Sequence, residues 1–232
     1  WTFMILGAFI AASGLRMLFS NPVKQDVPHQ NKKLIFRKKY WLFYVLNFLA
    51  GTRRQIFTVF AIFLLVERYN LGLRTVTGIY VITYALTYLF NPQISKALNK
   101  YGERVVLSLE SASLIILFLG YAFINNVWIA AFLFILDSIF FNFSIGLNTY
   151  LQKTADPEDL GSSTAVGFTI NHISAVIIPV FGGFLWMLNW RLPFIVGTGF
   201  SVLSLLFTQR ISTSHHPRKN TADELIKTAV AN

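Results

Sequence analysis

The chain has 232 residues, of which 54% are hydrophobic, 16% aromatic and 13% charged, about half the charged fraction of an ordinary soluble domain. It contains no cysteine, which excludes disulfide frameworks, thiolate metal sites and cysteine nucleophiles. The net charge of +10 does not point to nucleic acid, because the basic residues fall in connectors between long apolar runs.

The first apolar run, 1–19, opens on Trp1 with neither a basic leader nor an initiator methionine. No cleavable signal peptide is expected, and the chain reads as a fragment. A basic connector, 20–40, follows. Six further apolar segments come next: 41–66, 75–98, 105–123, 127–151, 163–186 and 192–207. Most approach or exceed the roughly 20 residues that a helix needs to cross a bilayer, so the expected fold is an all-α membrane bundle. In the tail, 210–232, Thr221-Ala-Asp-Glu224 precedes Leu225 in the form of a capping box, which predicts a short surface helix.

The basic residues set an orientation. Arg16, Lys24, Lys32, Lys33, Arg37, Lys38 and Lys39 lie in or beside the 20–40 connector. Alternating spans place Lys96, Lys100, Arg104, Lys153, Arg210, Arg218, Lys219 and Lys227 on the same side, making fifteen. Only Arg68, Arg74 and Arg191 fall on the opposite side. The positive-inside rule makes the first side cytoplasmic, and a bacterial inner membrane is the expected location.

Ionisable side chains in the middle of a span cost about 2.5–3.5 kcal/mol each on insertion scales, so each one asks for a partner or a function. Five stand out: Arg53, Arg54, Glu110, Asp137 and His172. Asn47, Gly51, Arg54 and Thr58 follow helical spacing and form a polar stripe. Arg53 lies about 100° round the helix, among larger apolar residues. A guanidinium fork suits a carboxylate or phosphate, through two parallel charge-assisted bonds. The alternative for either arginine is an internal ion pair with Asp137. Asp137 shares a predicted face with Phe141, Ser144 and Asn148, beside Ser138 and Asn142, and reads equally as a salt-bridge partner or a proton-coupling group. Glu110 is expected to reach the interface or to pair with Arg104 or Lys100. His172 could switch protonation near neutral pH or hydrogen-bond a neighbouring helix. Tyr80, Thr83, Tyr84, Thr87, Tyr88 and Asn91 form another stripe, open to solute contact or to helix packing.

Two local patterns carry a family resemblance. Ser95-Lys-Ala-Leu-Asn99-Lys100-Tyr-Gly102-Glu103-Arg104 resembles the cytoplasmic loop signature Gly-x-x-x-Asp-Arg-x-Gly-Arg-Arg of the major facilitator superfamily, with Asn99 in place of the Asp and Ser95 in place of the first Gly. Pro179-Val-Phe-Gly182-Gly183 resembles the Pro-x-x-Gly-Gly end of a motif in the family's drug–proton antiporters; helix packing is its expected use here. Asp156-Pro157-Glu158-Asp159-Leu160-Gly161 is similar to acidic turns common at this point in the family, with Ser162, Ser163 and Thr164 available as helix caps.

The resemblance implies the C-terminal half of such a transporter. Residues 1–19 would be the last helix of an N-terminal half, 20–40 the cytoplasmic linker, 41–209 a six-helix bundle and 210–232 a cytoplasmic tail. It further implies alternating-access transport of a small organic solute at the bilayer midplane, with the missing half or a second copy of the chain as partner. Arg54, Arg53, Asn47, Asp137, Ser144, Asn142 and Tyr84 would contact solute; Asp137, His172 and Glu110 are coupling candidates; Asn99, Lys100, Gly102 and Arg104 form the signature loop. The arginines favour an anionic solute. A non-transporting receptor or scaffold with the same fold is the alternative. No metal site or cofactor is expected. No His-Glu-x-x-His, Gly-x-Ser-x-Gly or glycine-rich phosphate loop occurs, which argues against an enzyme or an ATP-driven pump.

Overall fold

The computed structural model describes residues 2–18 and 36–212. Most of the predicted linker and the tail helix at Thr221 lie outside these residues. The described residues form helices and connecting turns, with no strand among them.

Helix α1, Thr2–Leu18, corresponds to the first predicted segment, and its described side chains are all exposed. A short 3-10 turn, Lys38–Tyr40, leads into α2, Trp41–Gln55, which continues through two π-helical stretches, Ile56–Ala61 and Leu64–Arg68. Segments 75–98 and 105–123 were expected as two helices joined by a loop. They form the two arms of α3, Leu73–Phe123, and the loop between them is reduced to a kink at Gly102, with φ 79° and ψ 168°. Glycine alone adopts that conformation without a Cβ clash, so the reversal needs a single residue. Phe90, Ile94 and Ala97 before the turn and Val105, Val106 and Leu109 after it line one groove. The two arms therefore fold back on each other.

The next segment is also divided. Helix α4, Val127–Phe141, is capped by the Asn126 side chain, which accepts from the Trp128 and Ile129 amides at 2.9 and 3.3 Å. A 3-10 turn, Asn142–Ser144, joins it to α5, Ile145–Thr154. Helix α6 runs Leu160–Leu188 through Pro179. It starts three residues earlier than predicted, because Asp159 rather than the serine–threonine run occupies the N-cap position; the Ser162 hydroxyl donates back to the Asp159 carbonyl. Helix α7, Leu192–Thr208, has 17 residues, about 26 Å at 1.5 Å per residue. The stretches Lys38–Arg68, Leu73–Phe123, Val127–Thr154 and Leu160–Leu188 are each long and apolar enough to cross a membrane.

Two apolar layers hold these helices. In one, Ile56, Phe57, Phe60 and Leu64 of the π-helical part meet Leu114, Leu117, Phe118 and Tyr121 of α3, Phe134 of α4 and Phe194 of α7. In the other, Tyr40, Phe43, Tyr44 and Leu46 meet Leu107, Leu147, Leu151 and Ile211. Close approach of α6 to the α2 run depends on missing side chains: a Cβ at Gly167 would lie 2.7 Å from the Phe43 ring, and one at Gly182 only 2.4 Å from the Phe60 ring. Without water in the hydrocarbon, such small-residue packing is a main source of helix association.

The acidic turn ahead of α6 is tied to the start of α2. Arg37 Nε lies 2.6 Å from Asp159 Oδ2 and Lys39 Nζ 2.9 Å from Asp156 Oδ2. The Tyr40 hydroxyl accepts from the Asp156 amide at 3.1 Å and lies 3.3 Å from a carboxylate oxygen of each aspartate. The Lys39 ammonium, hydrogen-bonded to Asp156, holds that carboxyl below its ordinary range.

Gly182→Ala should destabilise the protein by about 1–3 kcal/mol through overpacking against Phe60, while Gly183→Ala, with nothing within 4 Å, should leave the melting temperature in detergent unchanged. The lowered Asp156 carboxyl contributes stability above its unfolded pKa and loses it as pH falls through the folded value. The melting curve of the native protein should therefore approach that of Asp156→Asn below about pH 4, with the gap restored at pH 6.

Candidate functional site

Between the two apolar layers lies a polar one, to which each of four helices contributes. On α2 it is Arg53, between Ala50 and Ile56; on α3, Glu110 and Ser111, between Leu107 and Leu114; on α4, Asp137, beyond Phe134; on α7, Ser201 and Ser204. All are buried. Arg53 Nη2 donates to Glu110 Oε1 at 3.2 Å and Nη1 to the Ser111 hydroxyl at 3.3 Å, which reaches the Ser204 hydroxyl at 3.3 Å. Asp137 lies within electrostatic range of Arg53, Glu110 and Tyr121. Asp137 Oδ2, Glu110 Oε2, Arg53 Nε and the Tyr121 hydroxyl have no hydrogen-bond partner among the described residues.

Arg54, one residue on, turns the other way. Its guanidinium lies 5.1 Å from the Phe141 ring centroid, a cation–π distance. It has no carboxylate within ion-pair distance among the described residues. Arg54 and Phe141 stand between two cavities and line both. One, of about 290 Å³, is walled by Asn47, Ser144, Asn148, Asn171 and His172, with Phe43 and Phe168 among its aromatic groups. The other, of about 260 Å³, is walled by Thr58, Tyr80, Thr83, Tyr84, Thr87 and Asn142. A third, of about 370 Å³, adjoins them through Asn142, Ser144 and Asn148 and extends to Asn91 and Ser95. The result is an open, hydroxyl- and amide-lined concavity with one unpaired guanidinium at its middle, set in a bundle of membrane-spanning length.

The Major Facilitator Superfamily model matches residues 1–179. The chain belongs to the major facilitator superfamily. It is therefore a multi-pass integral membrane protein of a transporter family rather than of an enzyme family, working on small-molecule solutes across a lipid bilayer. No curated protein and no solved structure matches it significantly.

Within this facilitator chain, Arg54, Asn47, Ser144, Asn142, Tyr84 and His172 all line the joined cavities. His172 stands edge-on to Phe168, with ring centroids 4.1 Å apart. Arg53, Glu110 and Asp137 lie in the buried layer instead. Glu110 pairs with Arg53 on another helix, not with Arg104 or Lys100: Arg104 donates to Gln209 Oε1 at 3.1 Å, and Lys100 Nζ lies 5.0 Å from the Tyr101 ring centroid. Asp137 is buried, while Phe141, Ser144 and Asn148 line the cavity; the 3-10 turn Asn142–Ser144, at 120° rather than 100° per residue, rotates Ser144 and Asn148 away from the face they would share with Asp137 on a continuous α-helix. In the signature loop, Gly102 makes the turn, while Asn99 and Lys100 remain helical and exposed. Glu103 was not singled out from the sequence, yet it is fully buried and pairs with Lys153 Nζ at 2.5 Å. Its only sequence signal was a carboxylate beside a required glycine.

Removing Arg53 would leave two carboxylates without their cation. Arg53→Leu should destabilise the protein by about 3–5 kcal/mol, and Arg53→Leu/Glu110→Leu by clearly less than the two single changes added together. Denaturant unfolding of the four proteins in one double-mutant cycle measures this. Strict additivity would show that the pair does not act as a unit.

Proposed function

We propose that this chain forms the solute-facing wall of a secondary transporter that moves a small organic anion by alternating access, with Arg54 as the anion contact. One observation carries the reading: of two adjacent arginines, Arg53 is paired inside the bundle, while Arg54 is unpaired in an open polar cavity. An arginine in a membrane span is retained at a cost, and a fork aimed into a cavity suits a carboxylate or phosphate. Asn148, Asn171, Tyr84 and Thr87 supply hydrogen bonds for the rest of the solute.

In this reading 1–19 is the last helix of an N-terminal half, 20–40 the linker, 41–209 the C-terminal six-helix half and 210–232 the tail. The N-terminal half, or a second copy of the chain, closes the cavity and rocks against it about a midplane site. The fifteen-to-three distribution of basic residues supports a cytoplasmic position for the linker and the Gly102 turn.

Uptake of mono- and dicarboxylates and organic phosphates into proteoliposomes tests the proposal. Arg54→Gln should lower uptake of the transported anion by at least about tenfold, the loss of one charged hydrogen-bonding partner, with a stability change within about 0.5 kcal/mol. Unchanged uptake removes Arg54 from the site. Anion-dependent thermal stabilisation without flux favours a receptor of the same fold.

A further inference from the structure

An apolar groove of about 380 Å³ lies between the two arms of α3 and the end of α4, separated from the polar cavity of Asn91 and Ser95 by Ile94, which lines both. Phe90, Ile94, Ala97, Tyr101, Leu109 and Phe140 are among its lining groups, and Gln93 is its one amide. Phe90, Tyr101, Val105 and Leu109 are well exposed along it, so it opens sideways from the bundle. One end reaches the Gly102 turn. Lys100 stands there with its ammonium 5.0 Å from the centroid of the Tyr101 ring that lines the groove, and Lys96 precedes it by one helical turn.

The charge balance at this end of the bundle matters. Arg37, Lys39 and Lys153 each have a carboxylate, from Asp159, Asp156 and Glu103 respectively. Arg104 is engaged by Gln209. Lys96 and Lys100 have no carboxylate within ion-pair distance among the described residues. The groove thus joins an apolar trough, of a size that holds small ligands, to the Lys100 ammonium at its mouth, with Lys96 one helical turn away on the same arm.

We propose that this groove is a binding site for an anionic glycerophospholipid, with one acyl chain along Phe90, Ala97 and Phe140 and the headgroup phosphate at Lys96 and Lys100. Zwitterionic lipid gains the same apolar contact but carries a compensating cation, so the two lysines discriminate by headgroup charge. Each lysine near a membrane surface favours an anionic lipid by about fivefold. The pair therefore sets a preference of about twenty-five-fold at low salt, declining as salt screens it.

The experiment uses the whole protein in nanodiscs of phosphatidylcholine or of phosphatidylcholine mixed with phosphatidylglycerol. After transfer to detergent, retained lipid is counted by native mass spectrometry. The native protein should keep phosphatidylglycerol selectively. Lys96→Ala/Lys100→Ala, both exposed positions, should bind the two lipids equally, with an unchanged melting temperature. Ala97→Leu should lose retention of both lipids by filling the trough. Equal retention of the two lipids by the native protein would overturn the proposal, as would selectivity that survives loss of both lysines. Dimerisation that Ala97→Leu abolishes, with lipid counts unchanged, would overturn it in favour of a second copy of the chain.

Discussion

A guanidinium buried in the middle of a membrane-spanning bundle must find its counter-charge inside the protein, and the Arg53–Glu110 pair is where this chain meets that demand. In a low-dielectric interior the desolvation cost of each ion is several kcal/mol, and it is offset only by good geometry and added hydrogen bonds. The bond from Arg53 to Ser111, and from Ser111 to Ser204, extends the pair from α2 through α3 to α7. Asp137 brings α4 into the same electrostatic neighbourhood. The apolar layers on either side could slide or rotate at modest expense, since hydrocarbon outside the bundle is as apolar as the residues within. The polar layer cannot, because a shift of one residue would strand a charge. It therefore fixes the rotation of α2 about its own axis.

The cavity follows from that rotation. With Arg53 held against α3, helical geometry directs the next residue about 100° away, which brings Arg54 to Phe141 and the amide-lined concavity. The run then continues in the π-helical stretch that begins at Ile56, where Ile56, Phe57, Phe60 and Leu64 all enter one apolar layer. Insertions of this kind recur near functional sites in helices. On the other wall, Gly51 and Gly167 let α6 approach α2 closely, and this sets the distance from Arg54 to Asn171 and His172. The 3-10 turn at Asn142–Ser144 does the matching work on α4 and α5. It turns Asn142, Ser144 and Asn148 toward the cavity while Asp137 stays in the ionic layer.

The spans were legible because their signal is local: long apolar runs, a strong charge asymmetry, and glycine and proline at the turns. The different directions of Arg53 and Arg54 were legible from the helical period and the size of nearby residues, although Arg53 was still read as a solute contact and its alternative partner as Asp137 rather than Glu110. The partner of Glu110 was not legible. Arg104 and Lys100 lie within about two to three turns of it in sequence, whereas Arg53 is brought to it by packing across 57 positions. The separation of Asp137 from Ser144 and Asn148 depended on a three-residue change of helix type that has no residue signature of its own. Asp159 was read as part of a turn and Ser162–Thr164 as caps, because cap preference is local while the pull of Arg37 and Tyr40 on that aspartate is tertiary.

The exposed faces bear on what surrounds the bundle. On α6, Val176, Val180, Phe181, Phe184 and Met187 are exposed and wholly apolar, a surface that hydrocarbon solvates at no cost. The first arm of α3 exposes Tyr84, Tyr88 and Asn91, with Thr87 half-buried among them, beside apolar neighbours. Hydroxyl and amide groups of this kind lose their hydrogen bonds in lipid, at several kcal/mol for each unsatisfied group. Such a stripe is compatible with a membrane only where it meets water or protein. Thr87 and Tyr84 lie on the cavity that contains Arg54, and Asn91 on the cavity adjoining it. The polar stripe and the guanidinium of Arg54 therefore belong to one open polar surface, and the same desolvation cost that pairs buried Arg53 with Glu110 keeps Arg54 on that surface.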